Sequence, residues 1–189
     1  MATATRKTAA ATRKAPAKSK TAASAAAPEA TALLRADHKR VSALFEQYEG
    51  SRSTAKKKTL VSTICLELSV HAQIEEELFY PAVKTALKDK EMVPEATVEH
   101  ATLKELIAQV KDKEPDGEMF DAKIKVMSEY VKHHVKEEQN EMFPKAKKTR
   151  LDMNALGAQM AARKEELLAS PELLEAPPVP ASPAMAATA

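Results

Sequence analysis

The stretch His71-Ala-Gln-Ile-Glu-Glu-Glu-Leu-Phe-Tyr-Pro81 decides the fold, because it returns later as His134-Val-Lys-Glu-Glu-Gln-Asn-Glu-Met-Phe-Pro144. In each copy a Glu follows the His after four positions and a Pro stops the pattern six further on, so His71/Glu75/Pro81 superposes on His134/Glu138/Pro144. Residues four apart share one face of a helix. One such pair is an ordinary solvated surface pair. Two copies in one register require a common cause.

Working outward, Leu60, Ile64, Leu68, His71, Glu75 and Leu78 follow one another at steps of three and four and trace a single helical face from near Ser53. Phe120, Ile124, Met127, Val131, His134, Glu138 and Met142 do the same in a segment that starts near Asp116 or Glu118. Each His/Glu pair replaces apolar residues on a face that should be buried. Before each of these helices lies another. Leu34, Val41, Leu44, Phe45 and Tyr48 form a stripe from Thr31, a candidate cap, to Glu49, with Gly50 as the stop. Leu103, Leu106, Ile107 and Val110 form the second stripe, opened by Pro94 and closed by Glu114-Pro115-Asp116-Gly117. His38 and His100 fall on these stripes.

Asp37-His38 and its apolar followers match Glu99-His100 and theirs, so a helical hairpin has been duplicated. Four helices with short connections predict an all-α, up-down-up-down antiparallel four-helix bundle over residues 30–148. Helices two and four then lie parallel on a diagonal, and their His/Glu pairs meet His38 and His100 at mid-bundle. A segment at 149–169 has helical composition and is expected to pack outside the bundle or cap one end.

The composition agrees. Among 189 residues there are three glycines and no Trp, which suits helices better than a sheet. The single Cys65 lies in an apolar helical run, excludes an internal disulfide framework and fits a reducing, cytoplasmic setting. No apolar run reaches the roughly 20 residues of a membrane span. The net charge of +2 is uneven, because residues 1–29 hold six Lys/Arg against Glu29 alone. This Ala/Lys/Thr-rich arm is read as disordered. It resembles the tails of chromatin-type proteins and offers phosphate contacts to nucleic acid, although its Arg-bearing, acid-poor composition also overlaps with transit peptides. The Pro/Ala-rich residues 170–189 are likewise expected to be a disordered tail.

Four imidazoles and two carboxylates buried together cost several kcal/mol unless something compensates, on the order set by desolvation of polar and charged groups. A hydrogen-bonded network is one solution and a metal site the other; six such residues in one layer point to metal. Nitrogen and carboxylate oxygen without thiolate suit iron or manganese, and two carboxylates suit a pair of ions. Zinc is disfavoured by the absence of His-Glu-x-x-His, and the ferritin-like Glu-x-x-His pattern is absent too.

The ordered set of His38, His71-x3-Glu75 with Phe79-Tyr80-Pro81, His100, and His134-x3-Glu138 with Phe143-Pro144 resembles the hemerythrin-like His-His-Glu cation-binding family over about residues 31–148. The resemblance implies two non-haem irons, oxo- or hydroxo- and carboxylate-bridged, with His38, His71, His100 and His134 as terminal ligands and Glu75 and Glu138 as bridges. Oxygen-carrying members place a further His four residues after the third-helix His. This chain has Lys104 there, and a protonated Lys cannot ligate. One iron then keeps an open or water-filled position, or Glu76 or Glu137 substitutes. Binding or sensing of O2, NO or peroxide is accordingly expected rather than oxygen storage, without an assigned turnover. The alternative expectation is an iron-dependent regulatory module whose basic arm contacts nucleic acid or an acidic partner. His133 competes with His134 as a ligand, but the repeat aligns it with Val70 and favours His134.

Overall fold

The computed structural model describes residues 27–175, among which the chain is helical and has no strand. The arm at 1–26 and the tail at 176–189 lie outside the described residues. α1 is Ala30–Glu49 and α2 spans residues 54–87; α3 is Met92–Val110, α4 spans residues 118–147 and α5 is Met153–Ala169. Arg35 near the start of α1 hydrogen-bonds Gln139 near the end of α4 (2.8 Å), whereas Tyr48 at the end of α1 reaches Asp121 near the start of α4 (2.6 Å). Lys58 early in α2 pairs with Glu114 just beyond α3. Neighbouring helices are therefore antiparallel. The expected all-α four-helix bundle forms, with α2 and α4 on its diagonal.

Local chemistry sets the boundaries. Glu29, not Thr31, caps α1: its carboxylate accepts the Thr31 N–H (3.3 Å) and the Thr31 hydroxyl (2.6 Å), while Lys147 pairs with it from the end of α4 (2.8 Å). Thr31 itself is buried. Ser53 caps α2 through the Lys56 N–H (3.3 Å), and the Asp89 carboxylate holds the Val93 N–H at the start of α3 (2.7 Å).

The two prolines do not stop their helices. α2 runs through Pro81 to Leu87 and α4 through Pro144 to Lys147. A proline inside an α-helix removes an N–H and drives its ring against the carbonyl four residues back. Here a wider π-turn precedes each one, at Glu75–Phe79 and Glu138–Met142. The N–H of Tyr80 bonds the Glu75 carbonyl and that of Phe143 bonds the Glu138 carbonyl, five residues back in both cases. Single π-turns of this kind concentrate at functional sites. In an α-helix, residues five apart point about 140° apart; the wider turn brings Glu75 and Tyr80 onto one face.

Two apolar clusters fill the bundle. One joins Val41, Phe45, Leu68, Leu103, Ile124 and Met127, and the other Leu34, Ile74, Phe79, Val83, Phe143 and Met160. The His/Glu layer lies between them. α5, capped by Asp152 through the Asn154 and Ala155 N–H groups (3.0 and 2.9 Å), packs on α1 and α2. The crossing is close. A Cβ on Gly157 would stand 2.6 Å from the Ala30 nitrogen and 2.7 Å from the Glu29 carbonyl carbon. Arg163 fixes the same helix to Glu77 through two hydrogen bonds (2.7 and 3.0 Å). Residues 171–175, which the sequence assigns to the tail, instead form a 3-10 turn with Leu173 and Leu174 against the core.

Candidate metal centre

All six residues singled out in the sequence converge, each at most 7% exposed. They form two imidazole pairs. His38 and His71 bring their Nε2 atoms to 3.0 Å, and His100 and His134 to 3.2 Å. Each carboxylate spans both pairs: Glu75 Oε2 lies 3.2 Å from His71 Nε2 and 3.4 Å from His100 Nε2, and Glu138 Oε2 lies 3.3 Å from His38 Nε2 and 3.6 Å from His134 Nε2. One ligand atom from each of His38, His71, Glu75 and Glu138 falls within a 4.8 Å group, and Glu75, His100 and His134 make a second such group. Glu75 belongs to both.

The far sides of the rings are held by polar partners. His134 Nδ1–H donates to Glu99 (2.6 Å) and His100 Nδ1–H to Glu76 (3.1 Å), while His71 Nδ1 faces Asp37 at 3.6 Å. A proton on Nδ1 leaves the inward Nε2 as a lone-pair donor. His38 is held differently. The Gln139 amide donates to its Nδ1 (2.9 Å), and Arg35 in turn donates to the Gln139 oxygen.

Electrostatics distinguish the two carboxylates. Burial, reinforced by the facing Glu138 carboxylate, raises Glu75 well above the ordinary carboxylate range. Burial acts on Glu138 in the same sense, but His38 Nε2, facing its Oε2 at 3.3 Å, and the charge of His134 outweigh it, and its pKa is lowered. Burial lowers His71 to about 4, so it is neutral. For His134 burial is outweighed by the Glu99 hydrogen bond and the two carboxylates, which raise it. Glu75 Oε1 and Glu138 Oε2 are buried with no hydrogen-bond partner. Unpaired carboxylate oxygens in a core are costly. Imidazole nitrogens and two such carboxylates therefore fit bound metal cations.

The hemerythrin HHE cation binding domain model matches residues 29–146 of the chain. The chain belongs to this family. The crystal structure of a hemerythrin HHE cation binding domain-containing protein from Mycobacterium kansasii is similar in fold, with a TM-score of 0.65 and 23% identity over 77% of this chain and 91% of that one. A protein of Nostoc sp. named DNA nickase is 28% identical over 111 residues, or 59% of this chain. The chain spans only 31% of that relative's length.

Within this HHE domain the sequence overlooked Tyr80. Its hydroxyl enters the centre 3.0 Å from Glu138 Oε1, 3.1 Å from His100 Nε2 and 3.5 Å from both His134 Nε2 and Glu75 Oε2. The two halves of the repeat differ here. Phe143 stacks on His38 (5.9 Å) in the position that Tyr80 takes beside His100 (5.2 Å), without a hydroxyl. The replacement of Phe143 by Tyr80 in the repeat was the available signal. Of the two carboxylates considered for the place of the absent His, Glu76 turns outward to His100 Nδ1 and to Lys104 (2.7 Å), and Glu137 pairs with His133 on the surface. Glu67, one turn before His71, pairs with Arg40 (2.7 Å).

Proposed function

We propose that the chain is a non-haem di-iron protein that binds or senses O2, NO or peroxide, with His38, His71, His100 and His134 as terminal ligands and Glu75 and Glu138 as bridges. The observation that carries this reading is a cavity of about 20 Å³ bordered by all four imidazoles and by Val41, Leu68, Leu103, Val131 and Val135. In this measure one water needs roughly 10–15 Å³. The space suits a molecule of two or three atoms and rejects an organic substrate.

When bound, iron supplies open coordination positions and electrons for such ligands. The chain supplies the rest. Glu99 and Glu76 orient Nε2 lone pairs inward, and the two apolar clusters keep bulk water away. Tyr80 holds a proton at Oη and donates it to Glu138 Oε1. Burial and the neighbouring Glu75 and Glu138 raise its pKa well above the ordinary phenol value, so that proton stays in place. Lys104 neutralises Glu76 on the outside. Anaerobic reduction followed by air or NO tests the reading. New visible absorption that depends on both His38 and His134 supports it; a spectrum that never changes ends it.

A second reading, an iron-dependent regulatory module that contacts nucleic acid, draws on the basic arm and on the similarity to a protein named DNA nickase. Salt-sensitive DNA binding that is lost on deleting residues 1–29 supports it. Absence of binding at low salt removes it.

A further inference from the structure

The two halves of the bundle treat the carboxylate behind their second histidine differently. In the first half Asp37 stands behind His71, and its other oxygen is capped by the Lys164 ammonium from α5. In the second half Glu99 takes the place of Asp37. Its Oε2 accepts from His134 (2.6 Å), but its Oε1 faces His133 Nε2 at 3.8 Å, and Glu137 Oε1 lies 3.2 Å from that same nitrogen. Among the described residues no Lys or Arg pairs with Glu99 or Glu137. One ligand atom from each of Glu99, His133 and Glu137 lies within 4.8 Å of the others. Two carboxylates and an imidazole, drawn from two helices, stand where the first half has a fixed positive charge.

A second observation points inward from this cluster. A cavity of about 70 Å³ between α3 and α4 is bordered by Glu99 and Glu137, opens past the exposed Glu95 and Glu141, and reaches His134 and Glu138. Glu138 is 1% exposed, and its Oε2 has no hydrogen-bond partner. Lys145 pairs with Glu141 at the rim (3.5 Å), which leaves the deeper carboxylates without an ammonium. We propose that Glu99, His133 and Glu137 form an outer divalent-cation site that loads the buried centre through this cavity. The inference rests on the two-metal reading of that centre. Glu99 couples the sites, since the carboxylate that orients His134 also offers its second oxygen to the incoming ion. Nitrogen and oxygen donors of this kind take Fe2+, Mn2+ or Co2+.

Anaerobic Co2+ titration of the full chain, followed by calorimetry and visible absorption, tests the site. The wild type takes up two inner equivalents and one weaker outer equivalent. His133→Gln/Glu137→Gln loses only the weaker one and fills the inner pair at least about tenfold more slowly, to the same endpoint, because removing charge at a mouth slows ion capture. Uptake that stops at two, a third equivalent that survives the double variant, or loading at the wild-type rate overturns the proposal. A His38→Ala/His71→Ala chain separates this outcome from failure of the inner reading. If the inner equivalents are unaltered there, the two-metal assignment falls, while an outer equivalent that vanishes with His133 and Glu137 still stands.

Discussion

Replacing Glu75 by Gln tests whether the centre is built around charge that the metal-free fold disfavours. Glu75 is fully buried, with Oε1 unpaired and Oε2 between two imidazoles. Its native pKa is raised, whereas the unfolded chain releases that proton near about 4.3. Above that pH the native state binds more protons than the unfolded state, so stability falls as pH rises until Glu75 ionises in the fold. One proton corresponds to about 1.4 kcal/mol per pH unit. His71 acts in the opposite sense. Its native value of about 4 lies below an unfolded value of about 6.5, so its contribution rises with pH across that interval and offsets Glu75. Above about pH 6.5 His71 is silent, and the raised His134 adds to the decline. The lowered carboxylates of Asp37, Glu76 and Glu138 are silent there too, because they titrate at acid pH. Metal-free wild type should therefore lose stability as pH rises above about 6.5, by up to about 1.4 kcal/mol per pH unit for each of Glu75 and His134 that still holds its proton in the fold. Glu75→Gln, a shape match for the protonated acid, should show a clearly shallower slope, with the share from His134 remaining. Urea unfolding in chelator at several pH values measures both. A flat wild-type profile, or a variant with the wild-type slope, refutes the reasoning.

Tyr80→Phe removes a hydroxyl that donates to an ionised, buried carboxylate. It should cost the metal-free chain about 1.5–3 kcal/mol while leaving metal content unchanged; an unchanged unfolding free energy contradicts the assigned contact. Phe143 shows that a ring without a hydroxyl packs in the equivalent position, so the variant should fold. Gly157→Ala forces a methyl group against the backbone of Glu29 and Ala30 and should cost about 1–3 kcal/mol. Hydrogen exchange should show α5 loosening first, and unaltered protection would mean that α5 is not anchored there.

The bundle was legible because apolar steps of three and four survive the duplication, and His38, His71, Glu75, His100, His134 and Glu138 could be read as one layer from register alone. Tyr80 was not legible for a geometric reason. An α-helical wheel puts it about 140° from Glu75, and only the π-turn returns it to the centre. The same turn explains why Pro81 and Pro144, ordinary stop signals, lie inside their helices. Asp37 and Glu99 were recognised as repeat partners but not as the groups behind His71 and His134, since their contacts cross between helices. Lys164 was invisible for a similar reason: nothing in an accessory segment announces which bundle carboxylate it will cap. Thr31 was misjudged as a cap because it precedes the stripe, whereas Glu29 reaches back to its N–H and hydroxyl.

The most direct test of the central claim is metal analysis of the full chain purified under iron-replete conditions, set beside Glu75→Gln/Glu138→Gln. The account predicts about two irons per chain in the wild type, since the six donors form two groups that share Glu75, and loss of that iron in the double variant. A wild type that holds none, or a double variant that keeps both, would contradict it.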